Sequence, residues 1–387
     1  MTKLVHTSDT QIKNWVYGGI NPITGLNRRF EDALECLDYV IDYAIKVKAQ
    51  YFVHAGDVNE ERNPDSIAIE EFAKRIARLV KAGIRVVMIA GNHDIDSSIG
   101  CTTSISYLKA LQIPNLYIAD KAVEVFEFDD IGQPIRFLCL PYFYKSQFNM
   151  ATHEDVSDYI QKTVADFHKK YTEDEFVNVC VSHYTVDKVF EGLDVNEPVI
   201  PLSTYEDFDY NAFGHIHAYA DYSSLGVIGG YCGSPYRVTH GEKEDKYFNL
   251  VDFKEGTLDK HLIPNREFVD IEIDAVDADH EMLDQFIVNK LAHMELDNKF
   301  LKITIKCFEK FNLRSIYQHL ESREIFHYAP ISFDQQYIQT KDRLKFDPTI
   351  GSIDVVVDFL GKQRDIDDEF RAKVKTEIES AILAVGI

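Results

Sequence analysis

Through the first two-thirds of the chain, short runs that are apolar on both faces alternate with longer runs whose apolar residues recur every three or four positions. "KLVHTSD", "AQYFVHAGD" and "IRVVMIAGNHD" are of the first kind. Lacking a polar face, they predict strands covered on both sides. "RRFEDALECLDYVIDYAIKVK" puts Leu34, Leu37, Val40, Ile41 and Ala44 on one helical face, and "SIAIEEFAKRIARLVKAG" reads as a helix stopped by Gly83. Between Val123 and Val181 the strands turn hairpin-like, as in "VEVFEFDDIGQPIRFLCLPYF". A helix around "VSDYIQKTVADFHKKY" and a strand "FVNVCVSH" come next. "YNAFGHIH", "GVIGGYCGSP" and "KYFNLVDF" follow as short strands. The pattern predicts an α/β domain over residues 1–264, with two facing sheets and helices outside.

The texture then changes. Residues 265–334 predict a small, separate β-α-β-α-β unit, and residues 335–387 a linker with a helical tail. In the tail, Ile366, Phe370, Val374, Ile378 and Ile382 form an apolar stripe that needs a cover, on this chain or on another protein. Two or three domains suit a chain of 387 residues, which is too long for one ordinary core.

The net charge of −23 changes the picture of partners, because a protein that grips DNA alone usually carries a basic face. Phosphate handling here must rely on local cations, bound metal or a basic partner. Lys299, Lys302, Lys306, Lys310, Arg314, Arg28 and Arg29 are the local candidates for phosphate, and Trp15 and Tyr17 for stacking on a base. The six cysteines are scattered without a C-x-x-C pair, which predicts buried thiols and no thiolate metal site. No apolar run is long enough to span a membrane and no leader pattern opens the chain, so a cytoplasmic protein is expected.

Candidate chemistry sits just past the apolar runs. The first strand leads to Asp9 and Gln11, the second to Asp57, and the third to Asn92, His93 and Asp94. A later strand ends at His183, and "AFGHIH" supplies His215 and His217. These fall where the parallel strands of an α/β sheet present ligands at their carboxyl ends. Nitrogen and oxygen donors without thiolate suit manganese, iron, zinc or magnesium. Two cations about 3.5–4 Å apart can activate water and clamp a phosphoryl group for in-line displacement. Gly56, Gly91 and Gly214 each precede such a residue.

In order, Asp9-Thr10-Gln11, Gly56-Asp57, Gly91-Asn92-His93-Asp94, His183 and Gly214-His215-Ile216-His217 resemble the pattern of the calcineurin-like metallophosphoesterase superfamily. The flanks "LVHTSDTQI", "RRFEDALECLDYVIDYA" and "YCGSPYRVTHGEKEDKYFNLVDF" look most like SbcD-type DNA repair nucleases. The resemblance implies one metal set of Asp9, residue 11, Asp57 and His217, and another of Asp57, Asn92, His183 and His215. It implies that His93 acts on the leaving oxygen while Asp94 orients it. The implied cofactors are two divalent ions, manganese or alternatively magnesium. The implied activities are 3′-to-5′ exonuclease and single-strand endonuclease on DNA ends. The implied partner is an SbcC-like coiled-coil ATPase docked on the C-terminal helices, with the nuclease as a homodimer inside a heterotetramer. One departure stands out: Gln11 occupies a place where the family has histidine, and an amide oxygen is a weaker donor than imidazole. Glu60 occupies a place where the family often has His or Asp, and either assists a metal-bound water or faces solvent. The alternatives are a phosphatase or cyclic-nucleotide phosphodiesterase using the same ions, or a non-catalytic scaffold of the same fold.

Overall fold

The computed structural model describes residues 2–13, 15, 18–95, 102–130, 132–148, 150–171, 175–188, 196–279, 282–307, 311–323 and 325–334. The tail with its apolar stripe, together with Tyr17, Lys310 and Cys101, lies outside them. The chain opens with β1 (Lys3–Thr7), α1 (Arg28–Lys46), β2 (Tyr51–His54), α2 (Ser66–Lys81), β3 (Arg85–Ile89), α3 (Ser106–Ala110) and β4 (Leu116–Ala119). It continues with β5 (Glu124–Phe128), β6 (Ile135–Leu140), α4 (His153–Lys170), β7 (Val177–Ser182), β8 (Thr185–Val186), β9 (Val199–Ile200) and β10 (Tyr210–Phe213). Then come β11 (Ala220–Asp221), β12 (Gly229–Tyr231), β13 (Lys246–Asp252), β14 (Thr257–Ile263) and β15 (Phe268–Asp274). The last are α5 (Leu283–Ala292), β16 (Phe300–Lys306), α6 (Arg314–Glu321), β17 (His327–Tyr328) and β18 (Ser332–Phe333).

The chain divides into two compact units. The first takes Met1–Val269, Asn298–Leu301 and Phe326–Ala329. It holds two six-stranded sheets, ordered β14-β13-β1-β2-β3-β4 and β11-β12-β10-β7-β6-β5. In the first sheet β1 to β4 are mutually parallel, as are β6, β7, β10 and β12 in the second. The alternation of side chains splits each strand between two cores. Leu4, Val53, Val87 and Ile89 join Phe137, Val179, Val181 and Ala212 in one buried cluster. Val5, Phe52, Val86 and Met88 join Leu34, Leu37, Val40, Ile41, Phe72 and Ile76 of the helices in the other. Strands apolar on both faces are therefore buried on both faces, and the chain has the mixed α/β, two-sheet fold its pattern predicts.

The helices begin where side chains satisfy their free amides. The Asn27 side chain accepts from the Arg29 and Phe30 amides, Asp65 from Ala68, and Thr152 and Asp155 form a capping box at α4. Beyond α2, Gly83 takes φ +80, the left-handed turn that ends a helix. The segment carrying α3 and β4 had no clear sequence signal, being short and weakly periodic.

The second unit takes Asp270–Asp297, Lys302–Ile325 and the described residues from Pro330. There α5 and α6 are tied by Ser315 Oγ donating to Asp284 Oδ2 at 2.7 Å, and Arg323 donates to the Leu291 and Met294 carbonyls at 3.0 Å each. Ile287, Leu291, Ile303, Ile305, Ile316 and Leu320 are its buried apolar residues. Among the described residues no helix is long and apolar enough to cross a membrane. The five described cysteines are buried and free.

Candidate metal centre

Every residue named from the strand ends lies just past the carboxyl end of a parallel strand: Asp9 after β1, Asp57 after β2, Asn92 and His93 after β3, His183 after β7, and His215 and His217 after β10. The loops after β1 and β2 are zipped together, with Asp9 N donating to Gly56 O at 2.9 Å and Gln11 N to Asp57 O at 3.0 Å. Asp9, Gln11, Asp57 and His215 all hold positive φ, at 51°, 37°, 54° and 101°. Non-glycine residues held there cost roughly 1–3 kcal/mol each and concentrate at functional sites.

The glycines of the motifs serve close approach. A Cβ on Gly91 would lie 2.1 Å from Asp57 Oδ1, and one on Gly214 would lie 2.1 Å from the Ala55 carbonyl. Neither needs a positive φ; the backbone passes too near its neighbours for a side chain. Gly56 has both reasons, with φ +96 and only 2.4 Å to His183 Nδ1.

One atom each from Asp9, Asp57 and His183 lies within 4.8 Å of the others, and all three residues are buried. His183 Nε2 is 3.4 Å from Asp57 Oδ2 and 3.1 Å from Asn92 Oδ1, and His215 Nδ1 is 2.8 Å from the same Asn92 oxygen. The Asp9 carboxylate accepts the His215 backbone N–H at 2.9 and 3.1 Å. Burial alone would raise the Asp57 carboxyl, but His183 and the His93 amide, which donates to Oδ1 at 2.8 Å, hold it well below the usual range. Asp57 is ionised.

The far nitrogen of each imidazole is tied down. His183 Nδ1 meets the Ala55 carbonyl at 2.7 Å and His93 Nδ1 the Glu60 carbonyl at 2.8 Å; since a carbonyl only accepts, both nitrogens carry the proton. His215 Nε2 meets Glu197 Oε2 at 2.8 Å, and His217 Nδ1 meets Glu242 Oε1 at 3.1 Å. Metal-ligating histidines are held in this way. With its proton on the far side, neutral His183 turns a lone pair on two oxygen acceptors, Asn92 Oδ1 and Asp57 Oδ2. That repulsion is relieved by a proton or a cation between them. Burial opposes charge on the ring, but Asp57 favours a positive charge there and raises His183. The donor set therefore fits divalent cations.

Gln11 is buried and presents its amide nitrogen to Asp57 Oδ2 at 3.4 Å, so ligation through its oxygen requires the amide to turn over. Asp94 does not bond the His93 ring directly. Its carboxylate accepts from the Val58, Asn59 and Gly91 amides at 3.1, 3.3 and 3.0 Å and from Ser104 Oγ at 2.7 Å. It pins two loops together, and the group that meets the His93 ring is the Glu60 carbonyl. Burial, with Asp57 close by, raises the Asp94 carboxyl above its usual range.

Gln11, Asp57, Glu60, Asn92, His93, His215 and His217 line a cavity of about 200 Å³, together with Val238 and Thr239. Glu60 therefore faces the cavity, and its buried Oε2 meets no hydrogen-bond partner among the described residues. Sequence reading missed Glu197, Glu242 and Lys246. Lys246 is almost wholly buried and donates to Glu242 Oε2 at 2.6 Å, to Glu244 at 2.7 Å and to the His217 carbonyl at 3.0 Å. It also missed Tyr142, whose ring stacks on His215 at 6.1 Å between centroids.

The outlying candidates fare differently. Lys299 pairs with Glu267 at 2.9 Å, and Lys306 pairs with Glu272. Lys302 and Arg314 are exposed, and Arg28 Nη1 donates to the Phe326 carbonyl at 3.4 Å. Arg29 is buried with its guanidinium 3.8 Å from the centre of the Trp15 ring, so it covers one face of that indole.

The sequence pattern of the calcineurin-like phosphoesterase family matches residues 2–219, which end just past His217. The chain is 25% identical over 281 residues to the DNA double-strand break repair protein Mre11 of Methanopyrus kandleri, covering 70% of this chain and 57% of that protein. It is 25% identical over 286 residues to the SbcD component of the SbcCD nuclease of Escherichia coli K12, covering 66% of each. The matches thus span somewhat under two-thirds of these relatives' lengths. Among solved structures, a dimetal phosphatase from Danio rerio aligns with a TM-score of 0.39 at 13% identity, over 64% of this chain and 91% of that one. With the match running from β1 through the last histidine of the cluster, this chain belongs to the calcineurin-like phosphoesterase family.

Proposed function

We propose that the chain is the nuclease subunit of an SbcCD-like complex, hydrolysing DNA phosphodiesters with two divalent cations, manganese in first place and magnesium as the alternative. The observation that carries this reading is the convergence of Asp9, Asp57, Asn92, His183 and His215 from separate strand ends, with every imidazole's far nitrogen anchored. Asp57 would serve both ions. Asp9, Gln11 and His217 complete one set, and Asn92, His183 and His215 the other. Such a pair supplies an activated water and a clamp on the phosphoryl oxygens. His93, with its Nδ1 proton held by the Glu60 carbonyl, keeps Nε2 for the departing oxygen, which it protonates or polarises. Asp94 keeps the His93 loop in register from below.

The relatives named as DNA repair and nuclease proteins support DNA as substrate, with 3′-to-5′ exonuclease and single-strand endonuclease activity. The charge of −23 supports a partner that supplies much of the DNA grip, an SbcC-like ATPase bound through the C-terminal stripe, with the nuclease as a homodimer within a heterotetramer. The test is hydrolysis of linear and single-stranded DNA in Mn2+, with and without the ATPase. Asp57→Asn is expected to abolish cleavage. His93→Ala is expected to lower kcat by roughly 10²–10⁴ while metal uptake persists. Turnover of p-nitrophenyl phosphate without cleavage of any DNA, even with the partner, would replace this reading with a phosphatase.

A further inference from the structure

Excess negative charge poses a problem at the site itself. The chain carries 64 acidic and 41 basic residues, and the cavity walls present carboxylates, amides and imidazoles but no lysine or arginine. An arrangement of opposite sign that is free of carboxylates stands beside Asn92. Tyr144 Oη donates to the Asn92 carbonyl at 3.0 Å, fixing the phenol against the backbone of a proposed ligand. The Tyr144 ring packs edge-on against Tyr142 at 5.1 Å, and Tyr142 in turn stacks on His215. Arg62 Nη2 donates to the Tyr144 oxygen at 3.1 Å, with the guanidinium 5.6 Å from the ring centre. Lys145, next along the chain, is exposed.

Lys13 and Arg62 show the contrast. Lys13 is taken by Glu61 at 2.6 Å, whereas among the described residues Arg62 and Lys145 have no carboxylate partner. An exposed guanidinium bonded to one phenol keeps most of its N–H donors free, in the fork that matches a phosphate. A net charge of −23 works against the approach of free anions. An anion covalently tied to the group at the cleavage centre arrives regardless.

We propose that Arg62, placed by Tyr144 against Asn92, forms a subsite for a second phosphate of the substrate strand, so that the site selects a polynucleotide over an isolated phosphoester. This deepens the nuclease reading and rests on it. A phosphomonoester or a cyclic nucleotide has no neighbouring phosphate to offer, so the subsite separates the rival substrate classes that a two-metal cluster alone leaves together.

The test is salt-dependent binding of a labelled single-stranded dT oligonucleotide by fluorescence anisotropy, in a His93→Ala background that keeps the proposed ligands and slows cleavage. Each phosphate contact contributes about 0.7 to the slope of log affinity against log salt for a single strand. Arg62→Ala is expected to flatten the slope by about 0.7, while Arg62→Lys keeps it because the charge remains. An unchanged slope overturns the proposal, as does the absence of measurable binding by the parent protein at low salt. A fall in Mn2+ affinity with the slope intact overturns it too, since Arg62 would then only be bracing Asn92. The nuclease reading fails by a different sign: wild-type protein that hydrolyses no phosphodiester in Mn2+, bis-p-nitrophenyl phosphate included, whatever the slopes show.

Discussion

Glu242 does for His217 what the Ala55 carbonyl does for His183, and Lys246 holds Glu242 in place from a site with almost no solvent. Burial alone would raise the Glu242 carboxyl; His217 and Lys246 together bring it down to about 2, so it accepts as a full anion. A carboxylate behind an imidazole makes the opposite nitrogen a better donor. This bears on the half of the site that Gln11 weakens. Glu242→Gln is expected to lower Mn2+ affinity by about 10–100-fold, read by titration calorimetry, with little change in the far-ultraviolet circular dichroism. Gln11→His should move the same affinity upward. Neither Glu197 nor Glu242 stood out in the sequence, because they lie 18 and 25 residues from the histidines they hold and no local spacing links them.

At the scale of elements, the strand ends succeed because neighbouring backbones come closer than a side chain allows. Gly214→Ala would drive a Cβ into the Ala55 carbonyl, a backbone atom that cannot swing aside. A cost of about 1–3 kcal/mol is expected, read as a lower urea midpoint, together with impaired metal uptake because His215 follows directly. The segment of α3 and β4, illegible in the sequence, turns out to support the site: Ser104, just before α3, donates to Asp94. It is locked by Asp120 after β4, which accepts from Ser106 Oγ at 2.7 Å and Lys109 Nζ at 2.9 Å. Burial opposes ionisation of Asp120, but Ser106 and Lys109 outweigh it and depress the carboxyl. A depressed carboxyl stabilises the fold above its unfolded value near ~3.9 and loses that contribution as pH falls through its folded value. The Tm deficit of Asp120→Asn should be full at pH 7 and shrink below about pH 4. A deficit that grows on acidification would contradict the assignment.

For the whole molecule, two sheets with matched carboxyl edges gather an acidic cluster in a chain already at −23, so bound cations should add stability as well as chemistry. Chelation is expected to lower Tm, and Mn2+ at a hundredfold excess over its Kd to restore about 2.7 kcal/mol, measured by scanning calorimetry. An apparent Tm indifferent to EDTA and Mn2+ would mean that the cluster holds no ion tightly. The lysines and arginines offered as phosphate contacts show the converse. Their number is visible in the sequence, but Lys299 and Lys306 are spent on acidic neighbours and Arg29 on Trp15.

The sequence by itself determined the layered fold and the donors at the strand ends. Strand burial is written in runs that are apolar on both faces, and the motif residues sit on the same loops whichever way distant parts pack. Tertiary structure alone decided which partner holds each imidazole, that the Asp94 carboxylate bonds loop amides and Ser104, that Arg62 bonds Tyr144 beside Asn92, and why the glycines are needed. Each of these depends on contacts between segments far apart in the chain, whose distances are set by packing and carry no local signature.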